Sequence, residues 1–282
     1  MWQILYNTGG MKSLDGSRIG PYRGAVHPDC DTPEFRAALA GIRALATGPS
    51  ARVLLDSRNL VVAVPVPVSP AGCREAVVKE FRPSGFKKLK TILVPGKADK
   101  AWSGAMACLA RNVRTPFPMA WLERRRMGVV AESWFVAAEE PDAVEIRGLF
   151  RALPPEDLDR LVAGLAAFLR MCHDRGILHR DLSDGNILVR RPRPGVFEFA
   201  LIDTNRIRVR TGISAPARVR NLIRLGVPRD RRDFFLEQYL DGARGGKALR
   251  LWYAGAKGCY AGTIALKKKL RLKRLARWLR IQ

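Results

Sequence analysis

The sequence predicts an α+β fold in two parts, an antiparallel sheet followed by a mostly helical region. Three β-rich segments follow one another over residues 52–81, and an amphipathic segment with helical spacing covers 157–173. A polar loop at 179–186 comes directly after that helix and leads into an apolar stretch. We expect an N-terminal extension with a short helix over 1–50, a sheet part over 51–140 and a helical part over 141–282.

The composition is that of a globular protein with an unusual charge. The chain has 282 residues, 47% of them hydrophobic, and 50 Lys and Arg against 26 Asp and Glu give a net charge of +24. From Asn205 to Gln282 there are 21 basic and 4 acidic residues, so this part carries +17 of the total. Such a field favours an anionic partner: nucleic acid, acidic lipid or a phosphorylated ligand. Nucleic acid is disfavoured because no recognisable binding module and no interleaved aromatic residues accompany the charge.

Cysteine usage and hydropathy indicate the compartment. The five cysteines are scattered and form no C-x-x-C pair, which argues against a disulfide framework or a zinc site and suits a reducing cytosol. The first ten residues lack the basic and apolar regions of a signal peptide. The longest apolar run, Leu60–Val68, contains two prolines and is too short to span a bilayer. We therefore expect a cytoplasmic protein, soluble or peripheral on a membrane.

The order of elements follows from local periodicity and turn signals. Residues 1–33 are rich in Gly, Pro and polar groups and are expected to be mostly irregular. The segments that follow alternate between helical spacing and β-rich composition. The predicted helices are Glu34–Ala46, Asp99–Asn112 and Asp157–His173, and the predicted strands are Arg52–Asp56, Leu60–Val68, Glu75–Phe81, Met119–Glu123 and Val129–Val136.

Lys79 lies within the apolar run AVVKEF, on the third predicted strand. Burying an unpaired ammonium is costly, so a lysine there needs an explanation. One interpretation is a lysine that neutralises nucleotide phosphates. The other is an edge-strand lysine that faces solvent, which Glu80 and Arg82 beside it would suit. The loop downstream favours the first interpretation.

The loop HRDLSDGNILV, from His179 to Val189, carries the chemistry. Asp181 and Asn186 lie in it, and Asp203 ends the apolar run FEFALI. Kinases place one base and two metal ligands in this order, Asp, Asn and Asp. Asp181 suits the base, and Asn186 and Asp203 suit Mg²⁺, which prefers oxygen ligands. The alternatives are turn chemistry for the first two and a strand-end cap for Asp203; His179 is interpreted as a structural prop of the loop.

The motifs HRDLSDGNILV and LIDTNR resemble those of the lipopolysaccharide kinase family (Kdo/WaaP, InaA-like), a branch of the protein-kinase-like fold. AVVKEF is similar to that family's strand lysine, and the segment from Lys97 to Arg125 is similar to its second signature. The resemblance covers residues 50–210. It implies a two-lobe fold and ATP-dependent phosphorylation of an inner-core sugar hydroxyl, Kdo or heptose, at the cytoplasmic face of the inner membrane. It also implies that Asp181 is the base, that Asn186 and Asp203 bind Mg²⁺, and that Lys79 binds ATP.

The sequence departs from kinase patterns in several places. Thr-Asn-Arg follows Asp203 in place of Phe-Gly, and Asp56–Asn59 takes the position of a glycine-rich loop. No glutamate occurs from Phe81 to Leu122 to pair with Lys79. These departures leave a pseudokinase-like binding module as an alternative. Only 79 residues follow Asp203, which favours a glycolipid or another small hydroxylated acceptor over a protein.

The basic segment Leu266–Arg280 reads LKKKLRLKRLARWLR. From Leu272 onward a helical wheel places leucines and Trp278 on one side and lysines and arginines on the other. Basic amphipathic helices of this kind lie in anionic membrane interfaces. A terminal helix that packs its leucines on the helical part is the equal alternative.

Overall fold

The computed structural model describes residues 17–69, 72–82, 90–92, 94–241 and 246–279. The chain divides into two compact units. The first comprises Met1–Ala143 and Ala200–Arg208, and the second comprises Val144–Phe199 and Val209–Gln282. This division differs from the sequence expectation of a separate extension over residues 1–50, because the segment from Ser17 onward lies within the first unit.

The described elements alternate as a mixed α and β chain. The strands are β1 (Ser17–Ile19), β2 (Tyr22–Val26), β3 (Arg52–Asp56), β4 (Asn59–Ser69), β5 (Gly72–Phe81), β6 (Pro118–Arg126), β7 (Val129–Ala138), β8 (Val144–Glu145), β9 (Ile177–His179), β10 (Ile187–Arg193), β11 (Val196–Leu201) and β12 (Ile207–Val209). The helices are α1 (Pro33–Ala40), α2 (Ile42–Thr47), α3 (Lys97–Leu109), α4 (Ile146–Ala152), α5 (Pro155–Asp174), α6 (Ala215–Leu222), α7 (Arg232–Leu240) and α8 (Gly246–Leu279).

The first unit contains a seven-stranded sheet in the order β1-β2-β6-β7-β5-β4-β3. The pairs β3–β4, β4–β5 and β6–β7 are antiparallel neighbours in sequence, which confirms the predicted meander and the two later strands. The expectation of irregular structure before residue 33 was wrong for β1 and β2. β2 pairs antiparallel with β6, so the residues from 22 to 26 extend the sheet. Both strands are short, and Gly20 lies between them while Gly24 lies within β2, which is why composition alone suggested a loop.

Helices cover both faces of this sheet. Phe35, Leu39 and Ile42 of α1 and α2 are fully buried in one core cluster that includes Trp134 of β7. Phe135 follows Trp134 and packs with α3 in a second cluster. Because neighbouring side chains in a strand point to opposite faces, α3 lies on the face opposite α1 and α2. The predicted helix before residue 46 is thus two helices, which meet at Gly41.

The second unit is built around α5. Its buried side chains reproduce the predicted stripe and are Leu158, Leu161, Val162, Leu165, Phe168, Leu169 and Cys172. Acidic residues Glu156 and Asp157 lie in its first turn, where they interact favourably with the helix dipole. Beside it, a three-stranded sheet has the order β11-β10-β8, and β10 carries the apolar end of the predicted loop motif. The helix predicted over 157–173 is therefore confirmed.

The basic segment predicted over residues 266–280 falls in the last part of α8, which runs to Leu279. The side chains from residue 267 onward lie outside the described residues, and so does the wheel predicted from Leu272. Among the described helices, none has the combination of length and apolar composition needed to cross a membrane.

Candidate active site

Lys79 is paired with Asp203 in the first unit. Its Nζ donates to Asp203 Oδ1, and it lies 5.2 Å from the centre of the Phe81 ring. The side chain is 19% exposed, and β5 lies between β4 and β7 in the sheet. The interpretation of Lys79 as an edge-strand lysine that faces solvent is therefore wrong. Alternation along β5 explains the geometry, since Lys79 and Phe81 share the face that carries α3.

Asp203 has an unusual backbone conformation. Its φ is 56° and its ψ is 43°, in the left-handed region that aspartate tolerates better than most residues. It precedes a short 3-10 turn, Thr204–Arg206, but its side chain makes no cap hydrogen bond there. The carboxylate is bound to Lys79, and the interpretation of Asp203 as a strand-end cap is not what the structure shows.

Helix α3 holds the segment that carries Asp203. Thr204 Oγ1 donates to the carbonyl oxygen of Ala101 at 2.7 Å, and Thr204 is buried. A Cβ at Gly104 would lie 2.1 Å from the carbonyl oxygen of Thr204, so this close approach requires glycine. The pair of Gly104 and Thr204 thus fixes the backbone next to the carboxylate.

Kinase patterns place the acidic partner of the strand lysine on the helix that follows, but no glutamate occurs between Phe81 and Leu122. Asp203 serves as the acidic partner of Lys79 instead.

A different buried carboxylate, Glu123 on β6, lies at the start of α3. A Cβ at Gly96, the residue before α3, would lie 1.5 Å from Glu123 Oε1. Ser133 Oγ donates to Glu123 at 3.2 Å, and burial raises the pKa of this carboxyl group. The glycine therefore makes room for a carboxylate at a helix start, where negative charge is favoured.

Asp181 and Asn186 are brought together in the second unit. Asn186 Nδ2 donates to the carbonyl oxygen of Asp181 at 2.7 Å. The Asp181 amide donates to His179 Nδ1 at 3.2 Å, and His179 is 2% exposed. Both contacts use backbone groups of Asp181 and stabilise the loop conformation. The Asp181 carboxylate takes no part in them. His179 acts here as the structural prop that the sequence analysis expected.

A buried polar chain connects this loop to α5 and α7. Asn221 Nδ2 donates to the carbonyl oxygen of His179 at 2.8 Å, so Asn221 Oδ1 is an acceptor. It lies 3.0 Å from His173 Nε2, which must therefore carry the proton. His173 Nδ1 then accepts from the Tyr239 hydroxyl at 2.6 Å. The network fixes one neutral tautomer of His173, and burial lowers its pKa to about 4.

We expect His173 to make the protein less stable in mild acid. Its pKa is about 4 when folded and near 6.5 when unfolded, so only the unfolded chain takes up this proton between those values. The stabilisation is complete above pH 6.5 and is lost as the pH falls toward 4. Between pH 7.5 and 5 it amounts to about 2 kcal/mol of unfolding free energy. Urea titrations at both pH values should show this loss in the wild type and a smaller loss in His173→Gln.

His27→Gln is the matched control, because burial also lowers the pKa of His27 in the first unit. This variant should keep the part of the pH dependence that belongs to His173. An identical pH dependence in the wild type and His173→Gln would contradict the assignment.

Arg224 pairs with the Asp181 carboxylate. The distance from Arg224 Nη1 to Asp181 Oδ1 is 2.5 Å, and the arginine side chain is 46% exposed. The segment around Arg224 is itself tied to the loop, since the Gly226 amide donates to Asp184 Oδ1 at 2.5 Å. A Cβ at Gly226 would lie 2.1 Å from Asp184 Oδ2, so the missing side chain lets the Asp184 carboxylate approach the backbone this closely. The acid predicted as the base thus has a cationic partner from the segment after α6.

The four residues predicted from the sequence occur as two pairs, Lys79 with Asp203 in the first unit and Asp181 with Asn186 in the second. Sequence reasoning missed the residues that hold these pairs in place. Arg224 and Asn221 lie in a basic stretch without a motif, and Thr204 and Gly104 carry no chemistry of their own. Only their contacts identify them, and no pattern of residue types would have selected them.

The residues predicted to bind a cation fit that role by donor type. Within the described residues, no group of three or more His, Cys, Asp or Glu side chains could hold a metal ion alone. Mg²⁺ is usually bound by only one or two protein oxygens together with phosphates and water. Asn186 uses its amide nitrogen on the loop backbone, which leaves its oxygen as the ligand atom. Lys79 contacts Oδ1 of Asp203, so Oδ2 is the oxygen that would meet a cation.

Comparison with models of protein families found a match to the part of the chain that contains the loop. Residues 142–238 match the model described as the lipopolysaccharide kinase (Kdo/WaaP) family. The resemblance inferred from the motifs is thereby confirmed, and so is the reaction class, an ATP-dependent phosphotransferase. A comparison with curated proteins found no match.

Comparison with solved structures supports the fold. A structure of WaaP in complex with acyl carrier protein is similar with a TM-score of 0.59 and 20% identity, over 84% of this chain and 98% of that one. The kinase PK-1 of Cydia pomonella granulovirus is similar with a TM-score of 0.40 and 14% identity, over 61% of this chain and 57% of that one. The similarity to the WaaP structure confirms the predicted α+β, protein-kinase-like fold with two lobes.

Proposed function

We propose that this chain, whose residues 142–238 match the lipopolysaccharide kinase family, transfers the γ-phosphoryl group of ATP to a sugar hydroxyl of the lipopolysaccharide inner core, on Kdo or heptose. The observation that carries the proposal is the coincidence of this match with the loop from His179 to Asn186. The lipopolysaccharide kinases give the substrate class, and the loop supplies a carboxylate and an amide in the order that phosphoryl transfer uses.

In this proposal Asp181 accepts the proton of the acceptor hydroxyl as its oxygen attacks the γ-phosphorus. The carboxylate also orients that hydroxyl, and general-base assistance of this kind typically contributes about 10²- to 10⁴-fold in rate. The loop backbone is preorganised for this role by its bonds to His179 and Asn186. No covalent intermediate on the protein is required, because positioning and charge stabilisation dominate phosphoryl transfer.

In this proposal the nucleotide and its metal ion are bound by Lys79, Asn186 and Asp203. The Lys79 ammonium neutralises phosphate charge, and its ion pair with Asp203 holds it in place. Asn186 and Asp203 provide the oxygen ligands for Mg²⁺, which when bound neutralises the charge that develops on the phosphates. Thr204 and Gly104 contribute by holding the Asp203 backbone against α3.

Transfer of labelled phosphate from ATP tests the proposed acceptor. The assay would offer the purified full chain three acceptors: an inner core ending in Kdo, one that also carries heptose, and an unrelated hydroxylated compound such as an aminoglycoside. Labelling of a core acceptor, dependent on Asp181, is expected. Labelling of the aminoglycoside alone would replace the glycolipid proposal by a kinase of another small molecule, and no labelling of either core would refute it.

We further propose that the basic segment over residues 266–280 holds the protein at an anionic membrane surface. The support is the charge of the last third of the chain, +17 between Asn205 and Gln282. Each basic residue near an anionic surface contributes about 1 kcal/mol, so such a segment binds by charge even where its apolar face contributes little.

Vesicle sedimentation measures this binding. The full chain should sediment with vesicles that contain 30% anionic phosphatidylglycerol and stay in solution with neutral phosphatidylcholine vesicles. A variant with Lys267, Lys268 and Lys269 changed to glutamine should lose most of the binding, whereas Arg151→Gln with Arg193→Gln and Arg210→Gln, which removes the same charge elsewhere, should not. Equal sedimentation of both triple variants would contradict the assignment to this segment.

A further inference from the structure

A strongly basic cavity lies in the second unit beside the loop that carries Asp181. Its volume is about 700 Å³, and α7, the first half of α8 and the segment after α6 contribute its walls. Five basic side chains, Arg224, Arg229, Arg232, Arg250 and Lys257, line it together with a single carboxylate, Asp233. This excess of positive charge in a concave site favours an anionic ligand, because low-dielectric walls focus the field.

The cavity also contains an unsatisfied polar group. Tyr253 lines it and is 2% exposed, yet its hydroxyl has no hydrogen-bond partner among the described residues. Buried hydroxyls are nearly always hydrogen-bonded, and an unpaired one is destabilising. An oxygen of a bound anion would accept from it. This observation is independent of the charge and points to the same kind of ligand.

Lys257 braces the wall that carries Arg224. Its Nζ donates to the carbonyl oxygens of Ile223, at 2.9 Å, and Leu225. Burial, and the positive charge of Arg232 nearby, lower the pKa of Lys257 to about 8. The backbone on both sides of Arg224 is therefore fixed, while its guanidinium, which pairs with Asp181, is half exposed.

Arg224 is the side chain that connects the cavity to the loop. It lines the cavity, and its guanidinium lies 2.5 Å from the Asp181 carboxylate. A carboxylate held by an arginine is less available to orient and deprotonate a hydroxyl. A second anion in the cavity competes for the same guanidinium.

We propose that this cavity binds a negatively charged group of the acceptor, a phosphate or a carboxylate, and that Arg224 couples its occupancy to Asp181. When the acceptor is absent, Arg224 holds the Asp181 carboxylate. When the acceptor's anionic group enters, Arg224 turns to it and the carboxylate becomes free to accept the hydroxyl proton. The proposal rests on the proposed function for the role of Asp181, and it makes Arg224 a positioning residue.

Inorganic phosphate tests the site without any acceptor. Phosphate titrated at constant ionic strength should raise the thermal unfolding midpoint of the full-length wild type. Arg229→Ala/Arg250→Ala removes two exposed cavity cations and should abolish the rise, whereas Arg151→Ala/Arg193→Ala removes the same charge from exposed positions elsewhere in this unit and should keep it. No rise in the wild type, or an equal loss in both double variants (an effect of net charge alone), would overturn the site.

Two acceptors that differ by one phosphate or carboxylate identify the source of the anion. With the complete acceptor, Arg229→Ala/Arg250→Ala should raise KM by about ten- to a hundredfold, the effect of losing charged hydrogen bonds, and leave the KM for ATP unchanged. With the acceptor that lacks the anion, wild type and variant should be alike. A variant effect of the same size on both acceptors would overturn the assignment of the cavity to the acceptor.

The coupling between the cavity and Asp181 through Arg224 is tested separately by measuring ATP hydrolysis in the absence of acceptor. Arg224→Gln should raise this hydrolysis, because Asp181 is then free to assist water, and should lower transfer to the acceptor. Arg224→Lys should restore both toward wild type. A purely structural role of Arg224 predicts that both rates fall, and that result would overturn the coupling. Specific phosphate binding in a chain that transfers phosphate to no acceptor would instead refute the proposed function and leave the anion site standing.

Discussion

Replacing Asp181 with asparagine is expected to lower phosphoryl transfer roughly 10²- to 10⁴-fold, the usual contribution of a general base. The substitution keeps the size of the side chain and removes its ability to take a proton, together with the negative charge that pairs with Arg224. Two of the contacts that shape the loop use the Asp181 backbone, its amide to His179 and its carbonyl to Asn186, so the loop conformation should persist. The loss should therefore appear in kcat, with the KM for ATP almost unchanged.

The measurement is a steady-state assay in parallel with calorimetric titration of Mg-ATP. Asp230→Asn is the matched control, because it makes the same chemical change at an exposed acid of the second unit that pairs with Arg231. Exposed ion pairs contribute little to stability, so this variant should behave like the wild type. If Asp181→Asn retained a tenth or more of the wild-type rate, Asp181 would not be the base.

The sequence predicted the elements whose signal is local. The stripe of α5 and the meander of β3, β4 and β5 are periodic patterns, and periodicity depends only on near neighbours. β1 and β2 escaped prediction because β2 owes its strand character to pairing with β6, about a hundred residues later, and β1 in turn pairs with β2. Local composition does not carry that information, and a short strand with glycine and proline nearby looks like a loop.

The same distinction applies to the site. Asp181, Asn186 and Asp203 were selected as candidates because the spacing between a loop and the end of a strand can be read directly from the sequence. Lys79 was ambiguous, since only the position of β5 between two other strands distinguishes a half-buried lysine from one that faces solvent. Its partner stayed open, because kinase patterns place a glutamate on α3 and no glutamate occurs from Phe81 to Leu122. Arg224 could not be predicted from the sequence, because nothing distinguishes a single arginine in a basic stretch as the one that contacts Asp181.

Replacing Asp203 with asparagine is expected to lower kcat/KM for ATP by about two orders of magnitude or more, comparable to the loss of a direct charge-stabilising group. The change removes the charge that meets Mg²⁺ and also the acidic partner of Lys79. The Mg²⁺ concentration for half-maximal activity should therefore rise. Lys79→Met should weaken ATP binding without this rise, because the carboxylate remains. Since the two side chains act as a pair, the double variant should lose less than the two single losses combined.

Asp31→Asn provides the comparison for this result. It makes the same substitution in the same unit and breaks an exposed ion pair with Arg36, so it separates the effect of losing any carboxylate from the loss of this one. Its kinetics and its Mg²⁺ dependence should match the wild type. An unchanged Mg²⁺ requirement in Asp203→Asn would show that Asp203 acts only by holding Lys79. Full additivity of the Lys79 and Asp203 losses would show that their ion pair in the ligand-free protein has no part in binding the nucleotide.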